Sequence, residues 1–209
     1  MTNAFKPVLA LCLAVLPMAA FAQQSEFNYV GLHGGVVGGP LLDNAYGIFN
    51  EVPEFYEEVD TNPISYGIEG FRMTKPDEDG MAFGFMLSGG TFTFDVDAST
   101  SYHPSWSTDY RYWGAGLLVG NIFEGSGGRK STAFLGLEYL GLTLDTDNIS
   151  SSFIGGGSSI SATTGALSVP FGFYSTLGET GLSAGLGGRY FVGDPDGFYE
   201  VFASIGYSF

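Results

Sequence analysis

The chain has 209 residues, 22 acidic against seven basic side chains, a formal net charge of −15, 33 glycines, 16% aromatics and a single cysteine. That charge opposes nucleic-acid binding, which needs basic patches, and one cysteine excludes a disulfide scaffold. The aromatic share excludes intrinsic disorder, which depletes such residues.

The opening segment, MTNAFKPVLALCLAVLPMAAFAQQ, carries Lys6, an apolar run from Val8 to Leu16, and Ala20, Phe21 and Ala22 ahead of Gln23. This is the layout of a secretory signal, expected to be cut after Ala22 and to leave one domain over 23–209. Leu11 before Cys12 is not the small residue that a lipidation signal needs. Cys12 would leave with the signal.

No later segment offers 18 consecutive apolar residues, so no transmembrane helix is expected. The chain instead supplies stretches of about ten residues that alternate with period two. The first sets Val30, Leu32 and Val36 against Tyr29, Gly31, His33 and Gly35; the second sets Ile64, Tyr66 and Ile68 against Ser65, Gly67 and Glu69. Next come Met81, Phe83, Phe85 and Leu87 against Ala82, Gly84, Met86 and Ser88, then Trp113, Ala115, Leu117, Val119 and Phe123 against Tyr112, Gly114, Gly116 and Gly120. A fifth stretch opposes Leu135, Leu137 and Tyr139 to Phe134, Gly136 and Glu138, and a sixth opposes Leu167, Val169, Phe171 and Phe173 to Ser168, Pro170, Gly172 and Tyr174. The seventh opposes Leu182, Ala184, Leu186 and Tyr190 to Ser183, Gly185, Gly187 and Arg189. The last opposes Tyr199, Val201, Ala203, Ile205, Tyr207 and Phe209 to Glu200, Phe202, Ser204, Gly206 and Ser208.

Eight strands of this kind predict a closed antiparallel up-and-down transmembrane β-barrel, all-β, with the apolar face toward lipid and the small or polar face toward a narrow lumen. Closure is required because backbone groups cannot hydrogen-bond to hydrocarbon. TKPDEDG, EGSGGRKS and GETG read as short turns, and 38–63, 96–109 and 145–160 as long loops, which puts both termini on the periplasmic side. In the last hairpin, residue numbers summing to 389 keep every facing pair on one face, placing Arg189 opposite Glu200 and Leu182 opposite Tyr207.

With the glycine-rich YVGLHGGVVGG and the terminal GYSF, the chain resembles the small eight-stranded bacterial outer-membrane β-barrel family, of the OmpA/OmpX-like kind, over essentially its whole mature length. The resemblance implies an outer-membrane location and insertion by the barrel-assembly machinery, with Tyr207 and Phe209 as the assembly signal. It also implies contact with outer-membrane lipids and lipopolysaccharide, a monomer, and no single activity. A structural or surface-interaction role without cofactor is the expectation; a lipid A-directed acyl hydrolase and a conduit for small apolar molecules are the alternatives.

Four lumen-facing charges, Glu69, Glu138, Arg189 and Glu200, are expected to pair inside a plug, with His33 joining them. His103, Ser105 and Asp109, in YHPSWSTDY, supply the residue types of a hydrolytic triad but in a loop where such types also meet by chance. Glu54, Glu57, Glu58 and Asp60 lie in an acidic stretch without EF-hand spacing, so a solvated loop is the simpler reading than a metal site. Arg111, beside Trp113, is a possible contact for a lipid phosphate.

Overall fold

Period-two alternation over most of the chain becomes nine strands, seen in a computed structural model that describes residues 25–39, 56–59, 63–75, 80–98, 106–147, 160–192 and 197–209. They are β1 (Ser25–Gly38), β2 (Tyr56–Val59), β3 (Ile64–Lys75), β4 (Ala82–Ala98), β5 (Trp106–Glu124), β6 (Lys130–Asp147), β7 (Ile160–Thr176), β8 (Leu182–Val192) and β9 (Phe198–Ser208). Each of the eight long strands pairs antiparallel with its neighbours in sequence, β1 pairs with β9, and β4 with β5. The fold is a closed eight-stranded up-and-down barrel. The short β2 stands outside that ring, against the upper end of β4. The expected signal segment, 1–22, lies outside the described residues.

The registers follow the faces. β8 and β9 pair Leu182 with Tyr207, Ala184 with Ile205 and Arg189 with Glu200, the register expected from facial matching. Outward positions remain open to the surroundings, with Leu117 at 73% and Leu186 at 69% exposure, while inward Tyr29, Met73 and Tyr174 are fully buried.

Two readings need correction. β4 to β7 run 17, 19, 18 and 17 residues, so the strands continue into the segments read as the second and third long loops. Along Phe92, Phe94, Tyr110, Leu142 and Leu144 the inward side is now apolar, and along Thr93, Asp95, Asp109, Arg111 and Asp145 the outward side is polar. The alternation persists with its polarity inverted, which is the pattern of a sheet in water. Sequence reading took the loss of outward apolar residues for the end of the strand.

The lumen is likewise more apolar than the small-and-polar reading allowed. Phe27, Tyr29, Phe71, Met73, Met86, Phe134 and Tyr174 fill the end at which β1 begins and β9 ends, called here the termini end. Val37, Phe92, Phe94, Tyr112, Leu142, Phe191 and Phe198 fill the opposite end. At the termini end, Ser25 Oγ donates to Glu124 Oε1 at 2.7 Å and Lys130 Nζ donates to the Glu26 carbonyl at 3.2 Å, so side chains from both sides bridge the mouth.

Several glycines make room for rings. A Cβ at Gly141 would stand 2.5 Å from the Trp113 indole, and one at Gly90 would stand 2.5 Å from the Tyr112 hydroxyl. In the β7–β8 turn, Gly178 and Gly181 have φ of 85° and 79°, which glycine adopts without a Cβ penalty. Gly141→Val is therefore expected to displace the indole and destabilise the barrel by roughly 1–3 kcal/mol, the usual range for overpacking. Urea midpoints of the refolded variant, with Trp113 fluorescence as the probe, test this; an unchanged midpoint would mean that the ring moves without cost.

Candidate functional site

Between the two apolar layers lies a polar one, built from seven strands. It contains His33 from β1, Glu69 from β3, Ser88 from β4, Glu138 from β6, Ser168 from β7, Arg189 from β8, and Glu200 and Ser204 from β9. Each of these side chains occupies an inward position of its strand, and all eight residues are buried. β5 contributes space: a Cβ at Gly114 would lie 2.5 Å from Glu138 Oε1, so only glycine admits the carboxylate there. Gly67 does the same for His33, whose Nε2 would stand 2.7 Å from an added Cβ.

Arg189 is completely buried and organises the layer. Its Nε stands 3.4 Å from Glu200 Oε2, its Nη1 donates to Ser88 Oγ at 3.3 Å, and its guanidinium lies 4.7 Å over the Tyr112 ring. Ser88 in turn donates to Glu138, whose other oxygen accepts from Ser168 at 2.8 Å. Glu200 also accepts from the Tyr112 hydroxyl at 3.0 Å and has His33 Nε2 at 3.5 Å. Glu69 accepts from Tyr174 at 2.7 Å, and Tyr29 meets Ser204 at 2.6 Å.

The structure thus brings Arg189, Glu200 and His33 into direct contact, joins Glu138 to Arg189 through Ser88, and holds Glu69 beside Tyr174. The hydroxyl partners Ser88, Ser168, Tyr112 and Tyr174 were not recognised as members of this network. Their inward strand positions were visible, but which carboxylate each would meet depends on barrel closure.

A packed layer of this kind ties the strands to one another across the lumen. Within it His33 contacts Tyr112 and Glu200, while Ser88, Ser168 and Ser204 contact Glu138, Arg189 or Tyr29 rather than the imidazole that would activate a hydroxyl. Asp109 falls in β5 rather than in a loop, turns outward, accepts from Thr93 Oγ1 at 2.7 Å and lies 3.8 Å from Arg111. His103 and Ser105 lie outside the described residues. Glu57 and Glu58 belong to β2, whereas Glu54 and Asp60 are outside the described residues. Arg111 also has Asp145 at 3.6 Å, so two carboxylates already offset the charge that a lipid phosphate would seek.

At the termini end, Asn28 and Phe209 form a clasp across the β1–β9 seam. Asn28 Nδ2 donates to the Phe209 carbonyl at 2.8 Å, and the Phe209 amide donates to the Asn28 carbonyl at 3.2 Å. The Tyr207 ring lies where a Cβ on Gly181 would be, 2.6 Å from that position.

No protein-family model matches the chain, and no curated protein matches it in sequence. Solved structures do match. Ail, the attachment invasion locus protein of Yersinia pestis, solved in complex with the heparin analogue sucrose octasulfate, is similar over 90% of this chain and 99% of its own, at 15% identity and a TM-score of 0.49. Neisserial surface protein A is similar over 90% of this chain and 99% of its own, at 13% identity and a TM-score of 0.46. The likeness lies in overall shape and transfers no residue role.

Proposed function

We propose that the chain is an integral outer-membrane barrel of a Gram-negative envelope, exported by a signal cut after Ala22, with a structural or surface-interaction role. Both termini face the periplasm, the overhanging ends of β4 to β7 face outward, and the barrel works as a monomer. The observation that carries this reading is the level at which the outer surface changes character. From Phe123 up to Trp113 the outward residues of β5 are chiefly apolar; above Trp113 they are Arg111, Asp109 and Ser107. That apolar interval of about ten residues is roughly 33 Å of strand, or about 25 Å of height at the ~40° tilt of such barrels, the thickness of an outer-membrane apolar band.

Rings mark both borders. Tyr66, Trp113, Tyr139, Tyr190 and Tyr199 are exposed at one, and Phe83, Phe123, Phe173, Tyr207 and Phe209 at the other, as interfacial girdles require. On this reading the band contacts lipid and lipopolysaccharide acyl chains, and the barrel-assembly machinery takes Tyr207 and Phe209 as its signal.

The test joins location with permeability. Cell fractionation should recover a heat-modifiable band with the outer membrane, and added protease should cut intact cells only at the overhanging end. Purified barrel in planar bilayers should show no steady conductance of porin size, because Arg189, Glu138 and the two aromatic layers fill the lumen. Recovery in the soluble periplasm would remove the membrane reading, and large voltage-independent channels would remove the plug.

A further inference from the structure

A pocket of about 200 Å³ opens at the termini end, beside the last residues of the β1–β9 seam. The register makes room for it. β1 pairs with β9 from Tyr29↔Ser208 upward, whereas it pairs with β3 down to Ser25↔Lys75. Glu26 and Phe27 therefore reach past the seam, and among the described residues no strand pairs with them on the β9 side. The β7–β8 turn supplies Gly178, Glu179 and Gly181 to the pocket, and the start of β6 supplies Lys130.

Two of its charged groups have bonding capacity to spare. Lys130 Nζ donates once, to the Glu26 carbonyl at 3.2 Å, and its carboxylate neighbour Glu124 is 4.0 Å away, although an ammonium has three N–H groups to give. Glu179 is exposed and has no hydrogen-bond or ion-pair partner among the described residues. The remaining polar side chains are engaged. Glu26 holds Arg72 at 2.6 Å, Thr176 Oγ1 accepts from the Lys130 amide at 3.0 Å, and Ser208 Oγ meets Ser183 Oγ at 2.7 Å. Gly128 and Gly178 leave the approach open, since a Cβ at either would meet nothing within 4 Å. Buried Phe27 and the exposed ring of Phe209 add apolar wall.

One cation and one anion with spare capacity, in a single small pocket, select a ligand that carries both charges. An anion without an ammonium would meet Lys130 but also the carboxylates of Glu179 and Glu26. A cation without an anionic group would meet Lys130. The volume is below the roughly 300–1,000 Å³ of sites for drug-sized ligands, and at ~30 Å³ each it equals about seven waters. A headgroup or an amino acid is of that size.

We propose that this pocket binds a small zwitterion, its phosphate or carboxylate at Lys130 and its primary ammonium at Glu179. Two sources offer that chemistry: the phosphoethanolamine headgroup of a lipid in the adjoining leaflet, and a free amino acid. Phe209 favours the lipid, because its exposed ring lies in the lower girdle and also lines the pocket. A lipid whose chains run along that ring has its headgroup at the pocket. The site itself does not depend on membrane placement and only the lipid source does, so the two are read separately.

The experiment follows backbone amide resonances of barrel refolded in uncharged detergent while glycerophosphoethanolamine, glycerophosphoglycerol or alanine is added. Glycerophosphoethanolamine and alanine should shift Gly128, Gly178 and Gly181 to saturation. Glycerophosphoglycerol, with the same phosphodiester but no ammonium, should bind about fivefold more weakly than glycerophosphoethanolamine, the scale of one exposed ion pair. Glu179→Gln, at a side chain without a partner among the described residues, should erase that difference, and Lys130→Met should weaken all three ligands. Lys130→Met also removes the bridge to Glu26, so Glu179→Gln decides if that variant does not refold. In phosphatidylethanolamine nanodiscs, glycine amides already at their bound positions and indifferent to alanine would support the site with the lipid as its source; free positions that answer to alanine would support it with the amino acid. No saturable shift at the three glycines with either zwitterion would overturn the proposal. Equal affinity for the two phosphodiesters, or a preference that survives Glu179→Gln, would overturn it equally.

Discussion

Arg189→Met is expected to cost the folded barrel on the order of 3 kcal/mol or more, and adding Glu200→Gln to the same chain is expected to return part of that loss. The sign follows from what each change leaves behind. The layer holds three buried carboxylates, Glu69, Glu138 and Glu200, around one guanidinium, with apolar clusters sealing it above and below. Without Arg189, Glu200 keeps Tyr112 and His33, and Glu138 keeps Ser88 and Ser168. Those contacts donate hydrogen bonds but do not replace the guanidinium charge that offsets the burial of the carboxylates. Replacing Glu200 as well removes one of the uncompensated charges. A double-mutant cycle followed by urea unfolding in lipid vesicles measures the difference. Strictly additive losses would show that the two side chains do not act on each other, in conflict with their 3.4 Å separation.

That pair is also the clearest case of a contact legible in the sequence. Facial matching in one hairpin fixes its register, because a slip by one residue turns Arg189 or Glu200 outward into the apolar band. The same argument could not reach Tyr112, which comes from β5 and meets Glu200 across the lumen. Contacts across the lumen depend on closure between β1 and β9 and on the tilt of the strands, which no single hairpin encodes. The apolar layers were missed for a related reason. Glycines at alternate inward positions suggested a small or polar lumen face, whereas in the closed barrel Gly90 lies under Tyr112, and Gly185 and Gly187 beside Tyr174. Strand ends were missed where TFTFD keeps its period and exchanges its faces, since hydropathy reports the surrounding medium as well as the strand. The triad suggested by His103, Ser105 and Asp109 rested on residue types alone, and Asp109 has outward polar partners of its own in β5.

Deleting Phe209 is expected to lower the amount of assembled barrel in cells several-fold, without reducing export. Two physical effects are combined in that one residue. Directly after β9, its exposed ring is the element proposed to be read by the assembly machinery. As the partner of Asn28, it contributes two hydrogen bonds to the β1–β9 seam, where the sheet must close on itself. The seam effect is small, about 1–3 kcal/mol for the two bonds together, and belongs to the folded barrel however it was formed. It should therefore appear when urea-unfolded protein refolds into detergent, where no machinery is present. Asn28→Ala separates the effects, since it removes the Asn28 side-chain bond, keeps the backbone bond and leaves the ring of Phe209 in place. The expected result is a modest loss of stability in detergent for both variants, and a large loss of heat-modifiable outer-membrane protein for the Phe209 deletion alone. Equal losses in cells would assign the whole effect to the seam. An undiminished band after the deletion would mean that neither the ring nor the clasp limits assembly.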